Sequence, residues 1–184
     1  MKRLSVQRVC RLLASKALEF GASRAKADRV SKLVVDGRAR VKCVAPLCPR
    51  YGRHLLCPPN LPSLEEFREA LKAYRGMVLV QVEAPPGLRG EDAYRPWKVK
   101  LRRIINRLEG EAVRAGFPWA LGLIGGYCCL CEECVGPGGK CLHPYEARPS
   151  MEALGINVYE TCVKAGVPLP SPEEKVLWTG VLLV

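Results

Sequence analysis

The feature that most constrains this chain is a run of thiols. Cys128, Cys129, Cys131, Cys134 and Cys141, five in all, fall within 14 residues. Cys128, Cys131 and Cys134 follow C-x2-C-x2-C spacing, and Cys141 comes after six intervening residues. Thiolates so spaced can surround one side of a small inorganic core, each step turning the next sulfur inward. Bacterial ferredoxins use the same spacing for three ligands of a [4Fe–4S] cluster, with a shorter gap to the next cysteine. The glycine-rich run 136–139 gives the backbone freedom to bring Cys141 back toward the other three. Cys128 and Cys129 compete for the first position. Even spacing selects Cys128 and leaves Cys129 packed beside the centre. Zinc is the alternative, but structural zinc usually takes two well-separated ligand pairs, and a run of three plus one suits a cluster better.

The first group in chain order, Cys43, Cys48 and Cys57, has x4 and x8 spacing, and proline follows two of the three directly. Proline removes a backbone donor and fixes the exit of the chain, so this segment belongs to a rigid loop. Loops seldom bury several cysteines together without a cause. Metal ligation is therefore the preferred reading over three buried thiols, and the site is expected to hold a second metal or a second cluster.

Tight thiol arrays need a reducing compartment to act as ligands, and the remaining composition agrees with one. The chain has 184 residues, 48% of them hydrophobic, and no apolar run of membrane-spanning length. Lys16 and Glu19 interrupt any apolar leader, so a cytoplasmic protein without a secretion signal is expected. Asn and Gln are scarce and Arg and Pro plentiful, a thermophile-like balance. Residues 1–42 hold twelve Lys and Arg against three acidic residues, which is +9 of the net +11. That asymmetry points to an acidic redox protein or another anionic ligand as partner, with nucleic acid the weaker expectation.

Periodicity predicts a single domain over residues 1–184, with a basic helical N-terminal part over about 1–42. Val6, Val9, Cys10, Leu13, Ala17 and Phe20 form one helical stripe stopped by Gly21. A second short helix is expected over 22–34, then a hairpin turning at Asp36-Gly37. Ser63 and Glu66 make a capping box for a helix to about Arg75, and residues 77–83 read as a strand. A helix over about 94–115 buries Trp97, Leu101, Ile104, Ile105, Leu108 and Ala112. Its other face carries Arg95, Lys98, Lys100, Arg102, Arg103 and Arg107, expected in solvent. Residues 119–124 form a strand leading into the cysteine array. Ser150–Leu154 and Asn157–Ala165 are short helices closed by Gly155 and Gly166. Cys162, on the latter, is either core or a remote ligand. A proline linker and a terminal strand over 175–184 complete an α+β fold, a small mixed sheet packed by helices. Strands 77–83 and 119–124, read as parallel, would put both cysteine loops near one end of it.

The ordered motifs resemble a known family. Cys43…Cys48-Pro-Arg-Tyr-Gly…Cys57-Pro-Pro, Gly-Gly-Tyr-Cys-x2-Cys-x2-Cys…Cys141-x2-Pro144 and Arg148-Pro-Ser-Met-Glu-Ala153…Gly155-Ile156 are similar to a prokaryotic family of unknown function whose members are described as predicted metal-binding proteins. The resemblance covers most of the chain. It implies metal binding by Cys43, Cys48 and Cys57 and by Cys128, Cys131, Cys134 and Cys141, and it supplies no reaction. It also implies a cysteine just before Gly155, where this chain has Leu154. A fourth ligand for the first group would then fall to Cys162, His54, His143 or a non-protein ligand. The reading is thus a metal-binding protein with one [4Fe–4S] cluster, or two, serving electron transfer or a redox-accessory role. Whether it is an enzyme is left open. A zinc-stabilised nucleic-acid-binding protein is the alternative; no zinc-finger spacing, Walker loop or nucleotide-binding glycine fingerprint accompanies the basic segment.

Overall fold

The fold is known from a computed structural model that describes residues 5–44, 47–167, 169, 171 and 173–184. Lys2, Arg3 and the linker prolines Pro168, Pro170 and Pro172 lie outside the described residues. In chain order the elements are α1 (Val6–Glu19), β1 (Arg24–Arg29), α2 (Gly37–Val41), α3 (Leu64–Leu71), β2 (Gly76–Ala84), α4 (Arg95–Arg114), β3 (Leu121–Leu123), α5 (Val158–Ala165) and β4 (Val176–Leu183). No described helix is long and apolar enough to cross a membrane.

The four strands form one sheet in the order β1-β2-β4-β3. The α+β class holds, but every pairing between named strands is antiparallel. The sequence predicts that β2 and β3, joined through α4, run parallel in a small mixed sheet. They do run the same way, but β4 pairs with both and lies between them. Because β4 matches β2 from Met77↔Leu183 to Ala84↔Val176, it contributes a full-length ladder that three-residue β3 cannot.

Both faces of the sheet are covered, so β2 and β4 read as nearly continuous apolar runs. On one face Val78, Val80, Val82 and Leu182 pack against α1 (Val9, Cys10, Leu13, Ala17) and α4 (Leu101, Ile104, Ile105, Leu108). On the other, Met77, Leu79, Val181 and Leu183 pack against Phe67 of α3, Met151, Leu154, Ile156 and Cys162 of α5. The alternation is the period of two that a pleated strand imposes.

Two local expectations fail for definable reasons. Residues 24–29 form edge strand β1, pairing with β2 from Arg24↔Gln81 to Arg29↔Gly76, and not a helix. Its Arg24, Lys26 and Arg29 carry no apolar stripe; they give the charged edge that discourages further strand pairing. Asp36-Gly37 is a helix start and not a hairpin turn, since the Asp36 carboxylate accepts from the Arg38 N–H at 2.9 Å and caps α2. The Ser63–Glu66 capping box on α3, the Asn157 cap on α5 and the left-handed Gly155 and Gly166 stand as expected.

The end of the sheet where β3 leaves is tightly built. A Cβ on Gly125 would stand 2.6 Å from the Thr179 carbonyl oxygen of β4. Gly125→Ala should therefore destabilise the protein by about 1–3 kcal/mol, the usual cost of overpacking. It should lower the urea midpoint with an unchanged slope. An unchanged midpoint would show that this seat is loose.

Candidate metal centre

Both cysteine groups lie on loops that meet at this end of the molecule. Met151 N–H donates to the Ile124 carbonyl at 2.9 Å, so the 125–149 loop returns to the point where it left. Arg148 then clamps it. Its Nη2 and Nε donate to Glu109 Oε1 and Oε2 of α4 at 2.6 and 3.0 Å, while Gly122 N–H donates to the same Oε2 at 2.7 Å. One half-buried carboxylate thus fixes the loop, the helix and β3 together.

The first loop rests against the second. A Cβ on Gly136 would stand 3.2 Å from the Arg53 carbonyl oxygen, close enough to exclude a larger residue without movement. Tyr127, directly before Cys128, is the joint. The Arg50 guanidinium from the first loop lies 3.3 Å from its ring centroid, and Lys98 Nζ of α4 lies 3.9 Å from it. The His54 ring meets it edge-on at 5.8 Å, and its hydroxyl donates to Asp92. Arg50 also stands 3.6 Å from Asp92.

Cys43, Cys48 and Cys57 line one cleft of about 150 Å³, together with Glu152. That is several times the volume of one liquid water, about 30 Å³. Burial raises the Cys43 thiol above its ordinary range, and the neighbouring Cys48 and Glu152 add to it. Burial also pushes Cys57 up to about 12, with Cys48, Cys43 and Cys128 in electrostatic reach. Cys128 is thereby linked to the first group as well as to Cys141. Cys129 and Cys131 line an adjoining cleft of about 290 Å³ with His54, Asp92 and Glu132. Cys134 and Cys141 are half-exposed on the second loop. Among the described residues no three His, Cys, Asp or Glu side chains stand at metal-binding distance of one another. Three thiols and a carboxylate sharing one cleft nevertheless form a donor set suited to a transition metal.

The face of α4 expected in solvent is turned partly inward. Lys98 is 1% exposed and Arg102 2%, while Lys100, Arg103 and Arg107 are exposed. Arg102 Nη1 donates to Cys129 Sγ at 3.8 Å, and no carboxylate among the described residues lies within ion-pair distance of it. Burial raises the Cys128 thiol, while the Leu130 N–H and the Arg102 charge act against it. Arg102, Lys98, Tyr127 and Glu152 are the functional candidates that reading for cysteines overlooks. For the two cations the spacing of four, beside Leu101 and Ile105, was an available signal.

The other expected donors fall elsewhere. Cys162 is fully buried in the core, its thiol pushed up to about 11 by burial, and Cys10 behaves likewise on the opposite face of the sheet. His143 is half-exposed near Glu146, 4.0 Å away. His54 lines the Cys129–Cys131 cleft and not the cleft of the first group.

Comparison with known proteins agrees with this donor chemistry. No curated protein and no solved structure matches the chain. A family model described as "Predicted metal-binding protein (DUF2284)" matches residues 29–184, a span that includes both cysteine groups, the Arg148 clamp and Glu152. The chain therefore belongs to the DUF2284 family of predicted metal-binding proteins.

Proposed function

We propose that this is a redox metalloprotein in which Cys128, Cys131, Cys134 and Cys141 hold a [4Fe–4S] cluster, and Cys43, Cys48 and Cys57 hold a second metal or cluster. The observation that carries the reading is the burial of Arg102, bonded to Cys129 Sγ, with its charge in reach of the adjoining ligand thiol Cys128. A buried cation without counter-charge costs several kcal/mol. A loop of neutral thiols does not supply that charge; a set of metal-bound thiolates does. The spacing of the second group favours iron–sulfur over zinc, as argued from the sequence. When bound, such a cluster supplies one-electron transfer. The chain's own part would be to hold it through the four cysteines and to set the Arg102 charge beside Cys128.

The exposed Lys100, Arg103 and Arg107 suit an acidic redox partner, drawn in by electrostatic steering. The nucleic-acid alternative gains no specific observation. Lys16, Lys32 and Arg38 of the basic segment are engaged with Glu111, Asp28 and Asp36 at 2.8, 2.9 and 2.6 Å.

Anaerobic purification should yield iron with matching sulfide and a broad absorption near about 400 nm that bleaches with dithionite. Cys131→Ser should remove the share of iron, sulfide and absorption that belongs to the Cys128, Cys131, Cys134 and Cys141 cluster. Stoichiometric zinc without colour would overturn the cluster reading.

Arg102→Met should keep iron but lower the reduction potential by on the order of 60 mV, a tenfold shift for one electron. The sign follows because a positive charge stabilises the more negative reduced state. A redox titration with an unchanged potential would remove Arg102 from the site.

Metal loading should also govern thiol reactivity. In metal-stripped protein at pH 8 the Cys57 thiol, raised to about 12, stays protonated and should alkylate more slowly than the half-exposed Cys131 and Cys134. Reconstitution should then protect the ligand cysteines, as read by peptide mass mapping. Metal affinity should rise with pH, because each ligand thiol gives up a proton on binding.

A further inference from the structure

On the face of the sheet that α5 covers, the cover stops early. α5 ends at Ala165, and Gly166, with φ 63°, caps it in the left-handed region. There a cleft of about 340 Å³ opens between β1 and Val167, with Leu18 of α1 in its wall. Arg24 and Lys26 stand opposite Gln81 and Leu79 in the β1–β2 register, and all four line the cleft. The period of two puts both cations on one face. None of the lining residues belongs to a cysteine loop, and no Asp or Glu is among them.

The two cations are not equivalent. Lys26 Nζ donates to the Gly166 carbonyl at 3.4 Å, at the C-terminal end of α5, where a helix favours positive charge. Asp28 also lies within its electrostatic reach. Arg24 has no such answer. It is half-buried, and its Nη1 is shut off from solvent without a hydrogen-bond partner. The acids of the two strands are engaged elsewhere, Asp28 with Lys32 at 2.9 Å and Glu83 with Lys175 at 3.0 Å. Glu19, next to Leu18, is exposed and outside the lining. A buried donor left unpaired is costly, and more so when it carries charge.

Ser23 adds a neutral donor. Its Oγ accepts from the Glu83 N–H at 2.9 Å, which leaves the hydroxyl proton to give. Gln81 offers less, because its Nε2 is turned to Thr179 Oγ1 at 3.4 Å. The rest of the wall is apolar, from Leu18, Ala25, Leu79 and Val167. One uncommitted guanidinium suits a single negative charge, and its planar fork matches a carboxylate. Apolar walls around a few polar groups suit an organic body behind that charge.

We propose that this cleft binds a small organic carboxylate, its charged end on the Arg24 guanidinium and the Ser23 hydroxyl and its apolar body against Leu18 and Val167. The proposal does not depend on a metal at either cysteine group.

Isothermal titration calorimetry of the full chain with benzoate tests it. Benzoate should bind at one site, and neutral benzamide should bind more weakly by about tenfold or more, the worth of a charged hydrogen bond. Inorganic phosphate at equal concentration should not displace benzoate. Arg24→Gln should weaken benzoate by the same factor as loss of its charge. Leu18→Glu, at a position 49% exposed and so tolerant of change, should do likewise by setting a negative charge in the wall. Arg89→Gln, at an exposed cation outside the lining, should leave the affinity as it is. Circular dichroism establishes that each variant folds. If a folded Arg24→Gln or Leu18→Glu binds benzoate as the wild type does, the ligand sits elsewhere and the proposal fails. Absence of benzoate binding at millimolar concentration overturns it too. Displacement by phosphate would show a site that reads charge alone, and an equal loss in Arg89→Gln would show attraction to net charge; either result overturns a carboxylate site.

Discussion

Two positive charges buried on one side of α4 set the terms for everything around them. Leu101, Ile104, Ile105 and Leu108 each contribute about 1.5–3 kcal/mol by leaving water. Each buried ion costs several kcal/mol unless its charge is answered. The helix docks with a comfortable margin only if Lys98 and Arg102 find electron-rich neighbours, and the second loop and β4 provide them. Lys98 meets the faces of Tyr127 and Trp178 at 3.9 and 5.2 Å, contacts worth up to about 2 kcal/mol each when dry. Arg102 meets sulfur. The docking of α4 thus depends on the side chains that the loop and β4 set against it.

That dependence explains why loops with so little regular structure stay in place. Neither cysteine segment can rely on a ladder of backbone hydrogen bonds, so side chains do the fastening. Glu109 ties Arg148 and Gly122 together at one end, and Tyr127 is gripped between Arg50 and Lys98 in the middle. Asn106 and Arg95 of α4 add bonds to the Glu146 and Leu130 carbonyls at 3.0 and 3.4 Å. Nearly every fastening runs to α4. The sheet supplies a floor, and this one helix supplies the frame.

Much of this was legible in the residues. Caps at Ser63 and Asn157, stops at Gly155 and Gly166, and the apolar runs of β2 and β4 declare themselves locally, so they survive translation into three dimensions. The failures share a cause. β1 is charged and has no strand signature because it is an edge, and only its pairing with β2 makes it a strand. Asp36-Gly37 has the same residues whether it turns a hairpin or starts a helix. Lys98 and Arg102 were assigned to solvent because hydrophobic periodicity counts a cation as outside, whatever surrounds it. The cysteine clusters drew attention to sulfur, while Glu152 sat inside a quoted motif without a role. Its importance depends on where residues 150–155 return in space, which spacing along the chain does not encode.

The place of β4 has a consequence for biogenesis. This strand pairs with both β2 and β3, yet it follows both cysteine loops in chain order. Both cysteine loops leave the ribosome before it, and until it inserts, β3 has no partner strand and Gly125 has no Thr179 to lie against. Insertion of β4 therefore gives β3 and Gly125 their seat only after both loops have emerged from the ribosome.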